Sequence, residues 1–118
     1  MLNTFVYLIA ERSNVGLVHR VKVGVAVNPK RRLAILQTGN SRTLSLLCTI
    51  GPMGKAQAYE VERRLHRKLR RHHLRGEWFK KQSLRLMSNI EGLGFEGKID
   101  IHADDFQFNW RYGSESIP

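Results

Sequence analysis

Acidic residues are scarce in this chain. Ten Asp and Glu stand against twenty Lys and Arg in 118 residues, a formal net charge of +10. Such an imbalance points to a polyanionic partner, with nucleic acid ahead of an anionic membrane surface. A surface tuned only for solubility would scatter its charge, and here the charge is clustered. Cysteine is limited to Cys48, which excludes an intrachain disulfide framework and a cysteine-rich zinc site. Cys48 lies in the apolar run Leu46 to Ile50 and reads as a buried core thiol, compatible with a reducing compartment. No apolar run approaches the length needed to cross a bilayer. The N-terminus lacks the charged start and long apolar stretch of a secretory leader, so a cytoplasmic protein is expected. Internal repeats and low-complexity segments are also absent.

What remains is the composition of one ordinary globular domain, 42% hydrophobic. Thr4 to Ala10 is aromatic and β-branched and predicts a strand. Glu11 to Leu17 is polar and predicts a loop. His19 to Val27 alternates, with Val21, Val23 and Val25 on one face and Lys22, Gly24 and Ala26 on the other. The two strands are expected to pair as a hairpin. Asn28-Pro29 opens a helix and Gly39-Asn40 closes it, with Leu33, Leu36 and nearby Ile35 on its apolar side. Thr43 to Ile50 predicts a third strand. A long helix is expected from about Lys55 to about Arg71, burying Ala58, Val61, Leu65 and Leu69. Trp78 and Phe79 should pack on the body of the domain. Ser83 to Glu91 reads as a third helix, Lys98 to His102 as a possible short strand, and Gly113 to Pro118 as a disordered tail. The order implies a small α/β sandwich around a three-stranded mixed or antiparallel sheet. The domain would occupy residues 1–92, with 93–118 as a C-terminal extension and tail.

Several residue groups bear on function. Arg63 to Arg75 holds Arg63, Arg64, Arg67, Lys68, Arg70, Arg71 and Arg75, with His66, His72 and His73 and no interleaved acid. Like charges so spaced would destabilise a bare helix, which an acidic partner resolves. Phosphate contacts of this kind give binding that is steeply salt-dependent and largely blind to sequence. The three histidines fit no standard zinc spacing.

Val6-Tyr7-Leu8, Lys22-Val23-Gly24, the arginine of the first helix, the glutamate of Val61-Glu62-Arg63-Arg64-Leu65-His66, and Arg75-Gly76-Glu77-Trp78-Phe79 occur in an order that resembles the GIY-YIG endonucleases. The closer resemblance is to their phage-associated subgroup, whose second motif carries Lys. It spans roughly Thr4 to Lys80. The resemblance implies a divalent-metal-dependent endonuclease that hydrolyses DNA phosphodiester bonds, with Mg²⁺ or Mn²⁺ as cofactor. Tyr7 would be the general base or would position the water. Arg32, ten residues after Lys22, would hold the phosphate, with Arg31 as its rival one step along the helix. Glu62 would ligate the metal, while Glu60 is expected to pair with Arg63 or Arg64 on the surface. Lys22 would lower the pKa of Tyr7, or touch a phosphate. His66, one turn from Glu62, would orient that glutamate or contact a phosphate. Arg31, Arg63, Arg67, Arg70, Arg71 and Arg75 are the expected nucleic-acid contacts. Gly24, Gly39, Asn40 and Trp78 are structural positions of the motifs, and Gln37 to Asn40 either contact the backbone or cap and turn.

The sequence departs from the pattern at Lys22, where many members carry Tyr, and at Val25, where Lys often follows the glycine. A late asparagine has no clear equivalent, and Glu77 or Trp78 falls near its place. Three functions are therefore expected in descending order. The first is a DNA endonuclease, monomeric or weakly dimeric, with RNA also a possible partner. The second is a catalytically silent nucleic-acid-binding module on the same scaffold. The third is a basic adaptor for acidic proteins or phospholipid.

Overall fold

A computed structural model describes residues 1–85 and 98–103. Strands β1 (Thr4–Arg12) and β2 (Val18–Ala26) form an antiparallel hairpin. Helix α1 (Pro29–Thr38) and strand β3 (Thr43–Met53) follow, then helix α2 (Lys55–Lys68). A 3-10 turn (Arg70–His72) leads into the short strands β4 (His73–Arg75) and β5 (Trp78–Lys80). Strand β6 (Lys98–Ile101) completes the described chain.

The sheet has six strands in the order β4-β5-β2-β1-β3-β6, and every pairing is antiparallel. The expected three strands are its centre. Strands β4 and β5 are additional to the expected elements, since the basic run continues the helical pattern to about Arg71. The helix instead ends at Lys68, where Leu69 is buried against the core and the chain turns. Gly76, with φ +56, then reverses the chain into β5. Strand β6 lies within the segment expected as a possible strand and pairs with β3. The helix expected over Ser83 to Glu91 extends beyond the described residues, and the expected tail at Gly113 to Pro118 lies wholly outside them.

Alternation along β1 sorts the core into two faces. Val6, Leu8 and Ala10 join Val21, Val23 and Phe79 beneath Ala58, Val61 and Leu65 of α2 and Leu69 just beyond its end. Tyr7 and Ile9 point the other way and join Ala26, Leu44 and Leu46 beneath Leu33 and Leu36 of α1, with Trp78 alongside. The α2 stripe is therefore the expected one. Ile35, expected near the apolar side of α1, is 58% exposed. Cys48 is buried, and burial pushes its thiol up to about 12.

The hairpin loop is shorter than its polar composition suggests. Ser13 to Leu17 closes it, with Ser13 N–H donating to Leu17 O at 2.8 Å. Glu11 and Arg12 belong to β1. Glu11 is 3% exposed, which a lone carboxylate would not tolerate. Arg20 donates to both of its oxygens, at 3.1 and 3.0 Å, and Asn40 Nδ2 donates at 3.0 Å. Arg42 adds a longer ion pair at 3.7 Å. Gln37 fixes the same corner by donating to Asn40 O and Arg42 O and accepting from Leu44 N–H. The segment Gln37 to Asn40 thus caps and turns, and ties α1 and β3 to the hairpin.

Burial works to raise the Glu11 pKa, but the hydrogen bonds from Arg20 and Asn40 outweigh it and hold the carboxyl below its usual range. A depressed folded pKa contributes stability that is full above the unfolded value and is lost as pH falls through the folded value. We expect Glu11→Gln to lose about 1–3 kcal/mol at neutral pH, the cost of an imperfectly paired buried network whose arginines can partly rehydrate. Urea unfolding from pH 7 down to pH 3 should show the gap between wild type and variant narrowing with acidification. A gap independent of pH would mean that the carboxylate charge does not hold this corner.

Candidate active site

The site begins with a missing side chain. Tyr7 of β1 faces Gly24 of β2 across the hairpin. A methyl group built on Gly24 would lie 2.4 Å from the Tyr7 hydroxyl and 2.5 Å from Cζ. The tyrosine ring therefore lies over the glycine, in space that any other residue would fill. The same point is 3.1 Å from Glu77 Oε1.

Tyr7 is completely buried, and its hydroxyl has no hydrogen-bond partner among the described residues. Buried hydroxyls normally find one. Burial first, and the Glu77 carboxylate second, push its pKa up to about 12, while the Arg32 guanidinium, charged and within reach of the hydroxyl, pulls the other way and Glu62 adds to the rise. The expectation that Lys22 lowers this pKa fails. Lys22 is on the same sheet face as Tyr7, opposite Ile9, but its ammonium is 3.1 Å from Glu77 Oε1 and 5.3 Å from the Trp78 ring centroid. Its charge is taken up by Glu77, whose carboxylate acts on Tyr7 with the opposite sign.

Glu62 reaches this cluster from α2. Its carboxyl lies close enough to that of Glu77 to feel it, and its pKa is raised to about 7 by burial first, then by the neighbouring Glu77 carboxylate, with Lys22 opposing. The structure thus brings Tyr7, Lys22, Arg32 and Glu62 into one electrostatic group and adds Glu77. Glu77 enters because the β4–β5 turn docks beside β2, where Val23 N–H donates to Glu77 O at 3.0 Å. The sequence holds a signal for it: Glu77 is the first acid after the basic run and lies in the Gly-Glu-Trp-Phe match.

His66 is drawn into the helix–sheet seam. Its Nε2 is 3.1 Å from Val23 O, and its ring meets Phe79 edge-on at 4.9 Å. Trp78 carries the Arg20 guanidinium 4.0 Å above its ring, joining the site face to the Glu11 corner. Arg31 is exposed and its N–H caps onto Asn28 Oδ1. Glu60 pairs with Arg63 and Arg64 on the surface, as expected of it. Arg63, Arg67 and Arg70 line an open depression of about 500 Å³ with Glu62 and His66. Arg71 and Arg75 are exposed on the segment that follows. Gly39 caps α1, and Asn40 holds Glu11.

The model of the T5orf172 domain matches residues 4–91, which include every residue of this cluster. The chain belongs to the T5orf172 domain family. This is a domain of phage and bacterial nuclease-like proteins. Comparison with curated proteins and with solved structures gave no match. Within the T5orf172 match, β1, β2, α1, α2 and the β4–β5 turn each contribute a side chain to the polar group.

The Tyr7–Gly24 contact yields a direct prediction. Gly24→Ala should cost about 1–3 kcal/mol by overpacking, read by denaturant unfolding. In a Tyr7→Ala background the ring is gone, so adding Gly24→Ala should cost nothing further. An equal cost in both backgrounds would show that the ring does not occupy the space above Gly24.

Proposed function

We propose that this chain is a divalent-cation-dependent endonuclease of the GIY-YIG kind, hydrolysing DNA phosphodiester bonds at Tyr7, Arg32 and Glu62. The observation that carries the reading is the orphaned Tyr7 hydroxyl, buried over Gly24 beside the Glu62 and Glu77 carboxyls. A fold retains an unsatisfied buried hydroxyl at a cost, and a reacting ligand supplies the missing partner. The carboxylate oxygens of Glu62 suit a hard cation such as Mg²⁺ or Mn²⁺, which keeps several of its waters. Bound there, such an ion supplies charge stabilisation to the phosphoryl oxygens and lowers the pKa of water.

The chain's own groups divide the remaining work. Arg32 offers a planar fork to two phosphoryl oxygens. Tyr7, with its pKa near 12, is a neutral phenol at physiological pH. It therefore positions the attacking water by hydrogen bonding and is not a standing base. Lys22 offsets the charge of Glu77 and so keeps an anionic substrate from meeting two uncompensated carboxylates. His66 holds α2 against β2 and so fixes where Glu62 sits. Arg63, Arg67 and Arg70, beside Glu62 in the open depression, carry the flanking backbone phosphates, with Arg71, Arg75 and Arg31 further out.

The test uses a supercoiled plasmid with Mg²⁺ or Mn²⁺ and, in parallel, with chelator. Cleavage should require the cation. Glu62→Gln and Tyr7→Phe should each lose cleavage by at least about a hundredfold while binding duplex DNA as wild type does. Cutting by Glu62→Gln at the wild-type rate would overturn the site. Tight DNA binding with no cleavage of any substrate would favour the silent binding module, a reading that the substitution of Lys22 for tyrosine supports.

A further inference from the structure

Two carboxyl groups from distant parts of the chain are brought near enough to act on each other in a protein of net charge +10. Glu62 comes from α2 and Glu77 from the β4–β5 turn. Of the twenty Lys and Arg, Lys22 reaches the pair directly, at 3.1 Å from Glu77 Oε1, and Arg32 approaches from the Tyr7 side. The Lys22 ammonium pairs with Glu77, and no ion pair to Glu62 is formed among the described residues.

A second, independent feature is aimed into the same place. The Tyr7 hydroxyl, fully buried and without a hydrogen bond of good geometry among the described residues, lies over Gly24 on the side where Glu77 Oε1 also approaches. A phenol that only filled core space would serve equally well as phenylalanine. Its hydroxyl is left able to bond a polar group that arrives beside the carboxylates. A phosphate cannot be that group unaided, since two carboxylates repel it. Among the described residues no three His, Cys, Asp or Glu side chains come together, so an ion here depends on very few protein ligands and on water.

We infer that Glu77 joins Glu62 as the second carboxylate ligand of the divalent cation at this site. The inference rests on the reading of Glu62 as a cation ligand and extends it to a residue from a separate element. Coordination by α2 and by the β4–β5 turn makes the ion a clamp between the two. It also gives Lys22 a definite part, since its ammonium neutralises Glu77 in the ion-free protein and competes with the cation for it. Hard divalent ions choose oxygen ligands, and two carboxylates neutralise such an ion fully.

The experiment titrates the full chain with Mn²⁺, following loss of the free-ion electron paramagnetic resonance signal, with no DNA present. Wild type should bind one Mn²⁺ per chain. Glu62→Gln and Glu77→Gln should each weaken binding by roughly tenfold or more. Glu60→Gln, a surface carboxylate on the same helix, should bind as wild type. Thermal unfolding of each variant confirms that it folds.

A combined variant separates coordination from simple charge balance. If Glu77 only neutralises Lys22, then Lys22→Met added to Glu77→Gln should restore wild-type affinity. If Glu77 is a ligand, affinity should stay weak in the combined variant, and Lys22→Met alone should tighten binding. Glu77→Gln binding as tightly as wild type, with Glu62→Gln impaired, overturns the role of Glu77 and leaves Glu62 standing. Both Gln variants binding as wild type overturns both assignments.

Discussion

The arrangement of the site depends on the absence of a side chain at Gly24. The hairpin register places Tyr7 directly opposite it, and the tyrosine ring occupies the room that a Cβ would take. This close approach carries the hydroxyl over Gly24, which Glu77 Oε1 also approaches. Without it, Tyr7 would be one more aromatic in the layer beneath α1, shared with Ile9, Leu33 and Leu36. Because sheet faces alternate strictly, a one-residue slip in the β1–β2 register would exchange Tyr7 for Val6 or Leu8. The Glu11 corner opposes such a slip, since Arg20 and Asn40 both hold one buried carboxylate on β1.

Charge then determines what the site is suited to do. A strongly basic surface draws in a polyanion, but at the centre two carboxyl groups and a buried phenol face each other. Glu62 has its pKa raised toward neutrality and Tyr7 has its pKa raised well above it, both chiefly through burial. Perturbed groups of this kind, gathered from several elements, are found more often at functional sites than elsewhere. The surface pairing of Glu60 with Arg63 and Arg64 is the ordinary counterpart on the same helix. There, neighbouring cations hold the carboxyl below its usual range, and the solvent is close by.

Much of this was legible in the sequence, and the rest was hidden for identifiable reasons. Alternation in β2 showed which residues share a face with Gly24, and the α2 stripe Ala58, Val61, Leu65, Leu69 followed from its period. Tyr7, Arg32 and Glu62 are the positions that the resemblance to the GIY-YIG motifs implies. The β4–β5 hairpin was not visible, because a basic run after a helix reads as more helix and the left-handed Gly76 turn has no local partner signal. Burial of Glu11 was hidden too, since its partners Arg20, Asn40 and Arg42 are remote in sequence and a Glu-Arg-Ser-Asn stretch looks solvated. The role first expected of Lys22 failed for the same reason. Its ion-pair partner is Glu77, fifty-five positions away, and a sequence does not reveal which carboxylate will fold against an ammonium.

The central claim is that Tyr7 and Glu62 act as one catalytic unit across the sheet and α2. The most direct measurement is a double-mutant cycle in single-turnover DNA cleavage with Tyr7→Phe and Glu62→Asp. Groups that act in a single transition state are strongly non-additive. The double variant should therefore cleave within about threefold of the slower single variant. A double variant slowed by the full product of the two separate losses would contradict the account, because the two residues would then be working independently.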